Sequence, residues 1–311
     1  MDSSSKEKLV IALCLLDLGL EAYINNLIEI DFKSISEELS DSVVGAATRL
    51  LDQYKKASIY DKPVILNQLR ATIVPRIKTS LKSYQSILEQ KNSDISSAFP
   101  EIFDLMYGEG LENAKNFEEN LLFGKNLSDW FDSTSSNLAG SVITSVTESD
   151  GSLSGVEESF SKALPTIAFI SDGLIRQTAN NTELGFYLGN EEAFPELQFV
   201  AVMDSRTSAI CRSLNGKTFG IDSKNIPTPP LHPNCRSRLV PVVSGGIDFP
   251  SFNEFLGMLS NQGKTDIIKS ILGSGGYELY SKDKFTSLNY FTTQKFESTD
   301  EIINLIKEGM E

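Results

Sequence analysis

The sequence predicts an α+β protein with a mainly helical N-terminal region, a small α+β core holding a few short strands, and a helical C-terminal tail. Three observations carry this expectation. Apolar residues recur at three- and four-residue spacing from the N-terminus to about Leu188. β-favouring runs are confined to residues 197–243. Composition shifts at Asn126, where Ser, Asn, Thr and acids take over, and again after Val243. A chain of 311 residues is roughly two domains' worth, and these shifts divide it into 1–125, 126–245 and 246–311.

In chain order, Leu9–Leu16 is the longest apolar run. Lys6 and Lys8 precede it, and Asp17 and Glu21 interrupt it. We expect an amphipathic helix with Ser5 near its N-cap, and a buried, inert thiol at Cys14. Ile35, Leu39, Val43 and Val44, then Ala47, Leu50, Leu51 and Tyr54, predict a second helical stretch, with Ser34 and Ser36 able to cap its start. A third runs from about Lys62 to Gln90, with Pro75 marking a kink or boundary. Trp130–Val146 predicts a helix that ends at the Asp150-Gly151 turn, and Val156–Ala163 and Thr166–Leu188 predict two more. Leu197–Met203 and Lys217–Phe219 are expected strands flanking a short helical piece, Ser205–Leu214, and the Asn215-Gly216 turn. Arg238–Val243 closes the unit, and Pro241 assigns it to a sheet edge. Two or three short helices, separated by Gly263 and by Gly273–Gly276, finish the chain.

Composition narrows the function. The chain is 40% apolar and 23% charged, which excludes collagenous, disulfide-dense and wholly disordered proteins. No apolar run approaches the ~20 residues of a bilayer span, so neither a membrane-spanning helix nor a membrane partner is expected. Three cysteines cannot build a disulfide framework, which points to a reducing cytosol. A net charge of −14 argues against a surface that is wholly a nucleic-acid footprint. The charge is uneven, however. Residues 128–205 hold two basic and twelve acidic residues, whereas 206–241 hold six basic residues against the single acid Asp222.

The unusual residues fall on that basic island. His232, the only histidine, lies three residues before Cys235, and Cys211 lies in the short helical piece. Prolines 227, 229, 230 and 233 stiffen the loop between. Cys211, His232 and Cys235, with Asp204 at the strand end as a fourth donor, form a candidate metal site, and zinc suits S, N and O donors. Two other readings stay open: the same side chains pack and hydrogen-bond a tight loop, or Cys211 and Cys235 form a disulfide. Arg206, Arg212, Lys217, Arg236 and Arg238 are candidates for contact with a partner or DNA, or form a solvated rim. LNGKTFG lacks the first glycine of a P-loop, Gly273–Gly276 follows a helix and not a strand, and no G-x-S-x-G elbow is present.

FVAVMDSRTSAICRSLNGKTFG, followed by PPLHPNCRSRLVPVV, resembles the phage Mu F-like minor head protein family, the phage head morphogenesis domain. Its D-x-R-T and P-P-x-H-P-x-C-R segments are matched by Asp204, Arg206 and Thr207 and by Pro229, Pro230, His232, Pro233, Cys235 and Arg236. Cys211, Asn215, Gly216 and Phe219 also match. GLIRQTANNTELGFY is similar to the family's upstream helix, with Arg176 on its arginine, and residues 249–280 are loosely similar to segments that follow the domain. Ser208 and Ser237 stand where many relatives carry cysteine, so a four-thiolate zinc site is not available.

The resemblance implies a non-enzymatic minor structural protein of a tailed-phage or prophage head. It would associate with the portal or inner capsid and act in head assembly or in DNA packaging or ejection. Its partners would be the portal protein, the major capsid protein or both, with contact to packaged DNA. It would be assembled in the host cytoplasm, with residues 1–125 as the docking region. The alternative is a metal-dependent hydrolase or toxin-like effector built on the same domain, since three protein ligands and one open position suit a catalytic zinc.

Overall fold

Helical backbone runs unbroken from Ser3 to Lys56, as α1 (Ser3–Asn26), a π-helical stretch (Leu27–Phe32) and α2 (Lys33–Lys56). The computed structural model describes residues 3–108, 110–111, 115, 121–152, 154–243 and 245–311. The remaining helices are α3 (Lys62–Tyr107), α4 (Leu127–Glu148), α5 (Ser154–Gly189), α6 (Ala209–Leu214), α7 (Phe252–Asn261), α8 (Thr265–Ser281) and α9 (Thr299–Met310). The strands are β1 (Glu196–Val200), β2 (Thr218–Gly220) and β3 (Arg238–Pro241), in the order β2-β1-β3 with both pairings antiparallel. The fold is therefore the expected mainly helical α+β, and Pro241 sits on an edge strand.

Several local expectations are corrected. Ser34 and Ser36 cap nothing, because α2 continues directly from the π-helical stretch and its N-cap position, Phe32, is itself helical. α3 passes through Pro75, and α5 passes through Pro165 and merges the two helices expected there. Both prolines lie on exposed faces, where water can take the carbonyl that each deprives of a donor. In α8, Gly273 takes φ 66° and ψ 175°, so the predicted glycine break is a kink inside one helix.

The chain forms two compact units, and they do not follow the sequence in order. One comprises Leu27–Gln90 and Asn120–Ser171. It is helical, with Leu69, Ile73, Ile77, Leu81, Tyr84 and Leu88 forming the buried stripe of its part of α3. Tyr84 meets Phe32 and Phe131 edge-on, and its hydroxyl shares a 2.8 Å hydrogen bond with the Ser171 hydroxyl.

The other unit comprises Met1–Asn26, Lys91–Glu119 and Asp172–Glu311 and holds the sheet. α1 is not amphipathic, for every residue from Leu9 to Leu20 is buried. The helical segment Ser4–Lys56 contains an 18-residue window long and apolar enough to cross a membrane by composition, contrary to the sequence expectation, and 83% of that window is buried. An all-round apolar helix is what the centre of a core requires. α9 packs along α1, where Gly19 faces Ile302 and Gly309 faces Leu15. A Cβ at Gly309 would overlap Leu15 Cδ1, so glycine sets this close approach. Cys14 is fully buried, its thiol 3.6 Å from the Tyr290 hydroxyl, and burial pushes its pKa up, so the inert reading holds.

Central β1 is tied on all sides. Gln198 is buried and pairs like a strand neighbour with Ile247, donating to its carbonyl at 2.7 Å and accepting from its N–H at 2.9 Å. Asn215 Oδ1 accepts from Ala201 N–H at 2.9 Å, extending the ladder past the strand's end. These ties aim residues 201–207 at the loop that carries His232 and Cys235.

Candidate metal centre

The turn leaving β1 is organised by its aspartate. Asp204 Oδ1 accepts the Arg206 N–H at 2.9 Å and the Arg236 Nη2 at 2.6 Å, while the Asp204 carbonyl accepts Arg212 Nη2 at 2.7 Å. Thr207 Oγ1 donates to the Val202 carbonyl and accepts from the Asp204 N–H. Ser208 then caps α6, its Oγ accepting the Cys211 N–H at 3.2 Å. The D-x-R-T segment is thus a strand-to-helix turn that fixes where Cys211 points.

The second half of the site comes from the proline loop. Asn234 holds φ 55°, a left-handed conformation that asparagine tolerates, and it turns Cys235 back beside His232. The Sγ atoms of Cys211 and Cys235 lie 3.7 Å apart, and Cys211 Sγ is 3.1 Å from His232 Nε2. Among the described residues, Cys211, His232 and Cys235 form the group whose donor atoms all lie within 4.8 Å of one another. His232 Nδ1 is 2.8 Å from the Pro233 carbonyl, which can only accept, so Nδ1 carries a proton and Nε2 is the ring atom turned to the sulfurs. Ser208 Oγ lies 2.7 Å from that nitrogen.

The electrostatics assign the sulfurs different states. The hydrogen bond from Cys235 lowers the Cys211 pKa against the opposing cost of burial, with Ser237, Ser208 and His232 adding to the effect. The Cys235 pKa is raised, by its bond to Cys211 and by burial. Two sulfurs and one imidazole nitrogen make a set that a divalent ion such as zinc would occupy, releasing the protons these donors carry.

Asp204 is not part of this group, which corrects its assignment as the fourth donor. Burial pushes its pKa up, but hydrogen bonding and charge from Arg236 more than offset this and hold the carboxyl below its ordinary value. It is spent on the turn. The basic island is also corrected in part. Arg236 and Arg238 are buried, and Arg238 pairs with Glu183 at 2.8 Å in the interior, so neither presents charge to a partner. Arg206 keeps 42% of its side chain exposed but lies 3.7 Å from both Glu21 and Asp204 and donates to the Tyr290 carbonyl. Arg212 and Lys217 are exposed. Arg176 is buried, bridging Asp17 of α1 and Asp172, each at 2.8 Å.

Two site residues escaped sequence reasoning. Ser208 and Ser237 register there only as missing cysteines, yet Ser208 lies against the imidazole and the buried Ser237 acts on the Cys211 sulfur. The positions themselves were the signal: serine supplies a hydroxyl where a thiolate is expected.

Residues 158–240, from within α5 to within β3, match the family described as phage Mu protein F like protein. No curated protein and no solved structure matches the chain.

Proposed function

We propose that the chain is a minor, non-catalytic component of a tailed-phage or prophage head, associated with the portal or inner capsid and acting in head assembly or DNA packaging or ejection. The observation that carries this is the Mu F-like match over 158–240, which spans the Asp204 turn and the His232–Cys235 loop. The site's construction supports a structural role. Its aspartate is neutralised by Arg236, and no carboxylate belongs to the converging group among the described residues, so a general base for hydrolysis has no evident source there. The acidic chain would repel packaged DNA over most of its surface, leaving exposed Arg212 and Lys217 as the residues suited to DNA or an acidic portal face.

The test is co-purification of the tagged chain with the portal protein and with the major capsid protein encoded in the same genome, each expressed separately. Retention of one of them, weakened by Arg212→Glu with Lys217→Glu, supports the reading. Retention of neither refutes the proposed partners. The enzyme reading rests on the coordination position that three protein donors leave open. Zinc-dependent turnover lost in His232→Ala would establish it.

A further inference from the structure

We propose that Cys211 and Cys235 are a modification site, oxidised by a peroxide to an intramolecular disulfide, and that this disulfide and a bound metal are mutually exclusive states of one sulfur pair. The inference concerns the chemistry of the pair and does not depend on the chain's role in a particle. The sulfurs are in contact at 3.7 Å and unbonded, and a disulfide needs them to close to about 2.05 Å. They sit on separate segments, α6 and the proline loop, so the bond would tether two elements now joined through hydrogen bonds.

Access is one-sided. Cys211, though only 2% exposed, lines with Ser208 and His232 a small open cleft of about 10 Å³, room for one water-sized molecule, whereas Cys235 is not among its lining residues. Cys211 therefore meets the oxidant first, and Cys235 is the resolving thiol behind it. The third cysteine, Cys14, is fully buried against Tyr290 and competes for neither step.

The chemistry balances in two steps. The Cys211 sulfur attacks one oxygen of hydrogen peroxide, the O–O bond breaks, and a sulfenic acid forms with release of one water. The Cys235 sulfur then attacks the sulfenic sulfur, the S–O bond breaks, and the hydroxide leaves with the Cys235 proton as a second water. Two thiols lose two electrons and two protons in total, and the peroxide is reduced to two waters. A metal would need both sulfurs as thiolates, and a disulfide offers neither, so oxidation would expel the ion.

The experiment treats the reduced full-length chain, once metal-free and once zinc-loaded, with near-stoichiometric hydrogen peroxide, and reads intact mass, peptide maps and released zinc. The expected result is a mass loss of two hydrogens in the metal-free chain. The peptides holding Cys211 and Cys235 should be joined within one chain, with Cys14 still a thiol, and any bound zinc should be released in step with that loss. In Cys235→Ser, oxidation should stop at a sulfenic acid on Cys211 that a cyclic 1,3-dione traps. Oxygen added to Cys211 while Cys235 stays a thiol, a link between chains, or no mass change would overturn the proposal. Disulfide formation in the metal-free protein would sustain the modification site, whereas a chain that never takes up zinc, or that keeps it after the disulfide forms, would overturn the exclusivity.

Discussion

Arg236 places its Nη2 2.6 Å from Asp204 Oδ1, with both side chains almost wholly buried, and this one bond clamps the residue after Cys235 to the turn that precedes Cys211. The two halves of the candidate site are held together through an ion pair one residue from a sulfur. Both partners look from sequence like functional groups, and the structure uses both as fasteners.

Removing one member of that pair strands the other in the interior. Arg236→Ala is expected to cost about 3–5 kcal/mol of stability, the usual penalty for an uncompensated buried charge. Denaturant unfolding checks it. A variant of unchanged stability would return Arg236 to the list of surface contacts.

Metal content follows from the donor set. We expect about one zinc per chain in the native protein and a melting point that falls on chelation, with the metal lost in His232→Ala and in Cys235→Ser. Ser208→Cys, which places a thiol beside the imidazole, should bind zinc more tightly than the native chain. Mass-spectrometric metal analysis with chelator competition distinguishes these outcomes.

The α1–α9 crossing gives a packing prediction. Gly309→Ala forces a methyl into Leu15 and should cost about 1–3 kcal/mol as an overpacked core. Deleting residues 1–26 should go further and unfold the unit that holds the sheet, since it removes the buried α1 and strands Arg176 without Asp17. Circular dichroism of the truncated chain checks this, and a native-like melt would restore α1 to an external docking role.

Glu183 supplies a pH dependence. Burial pushes its pKa up from 4.5 to about 7, against the opposing charge of Arg238. Between those values the folded chain holds a proton that the unfolded chain has released, so this group's contribution to stability falls as pH rises from about 4.5 to 7, by at most about 1.4 kcal/mol per pH unit. Unfolding midpoints across that range should show the slope, and Glu183→Gln should flatten it.

Much of this architecture was legible because local signals and the fold agree. The helix expected at Trp130–Val146 lies within α4, the Asp150-Gly151 turn holds positive φ at both residues, and Cys211, His232 and Cys235 converge as their spacing suggested. Where the sequence misled, tertiary context prevailed. Pro75 and Pro165 read as breaks, but exposure makes them tolerable within long helices. The charges of α1 mimicked a polar face, yet Asp17 is an interior partner of Arg176, and only the distant helix α5 reveals that. Arg236 and Arg238 counted toward a basic island because their acids, Asp204 and Glu183, lie 32 and 55 residues away in sequence. No windowed charge count can pair residues so far apart.

The central proposal is that this chain, whose residues 158–240 match the Mu F-like family, is a head component. It is tested most directly by quantitative mass spectrometry of heads purified from the phage or induced prophage that encodes it. The account predicts that the chain is present in low copy relative to the major capsid protein and is lost from heads when Arg236→Ala breaks the Asp204–Arg236 clamp. Heads that assemble, package and eject DNA normally without containing the chain would contradict it.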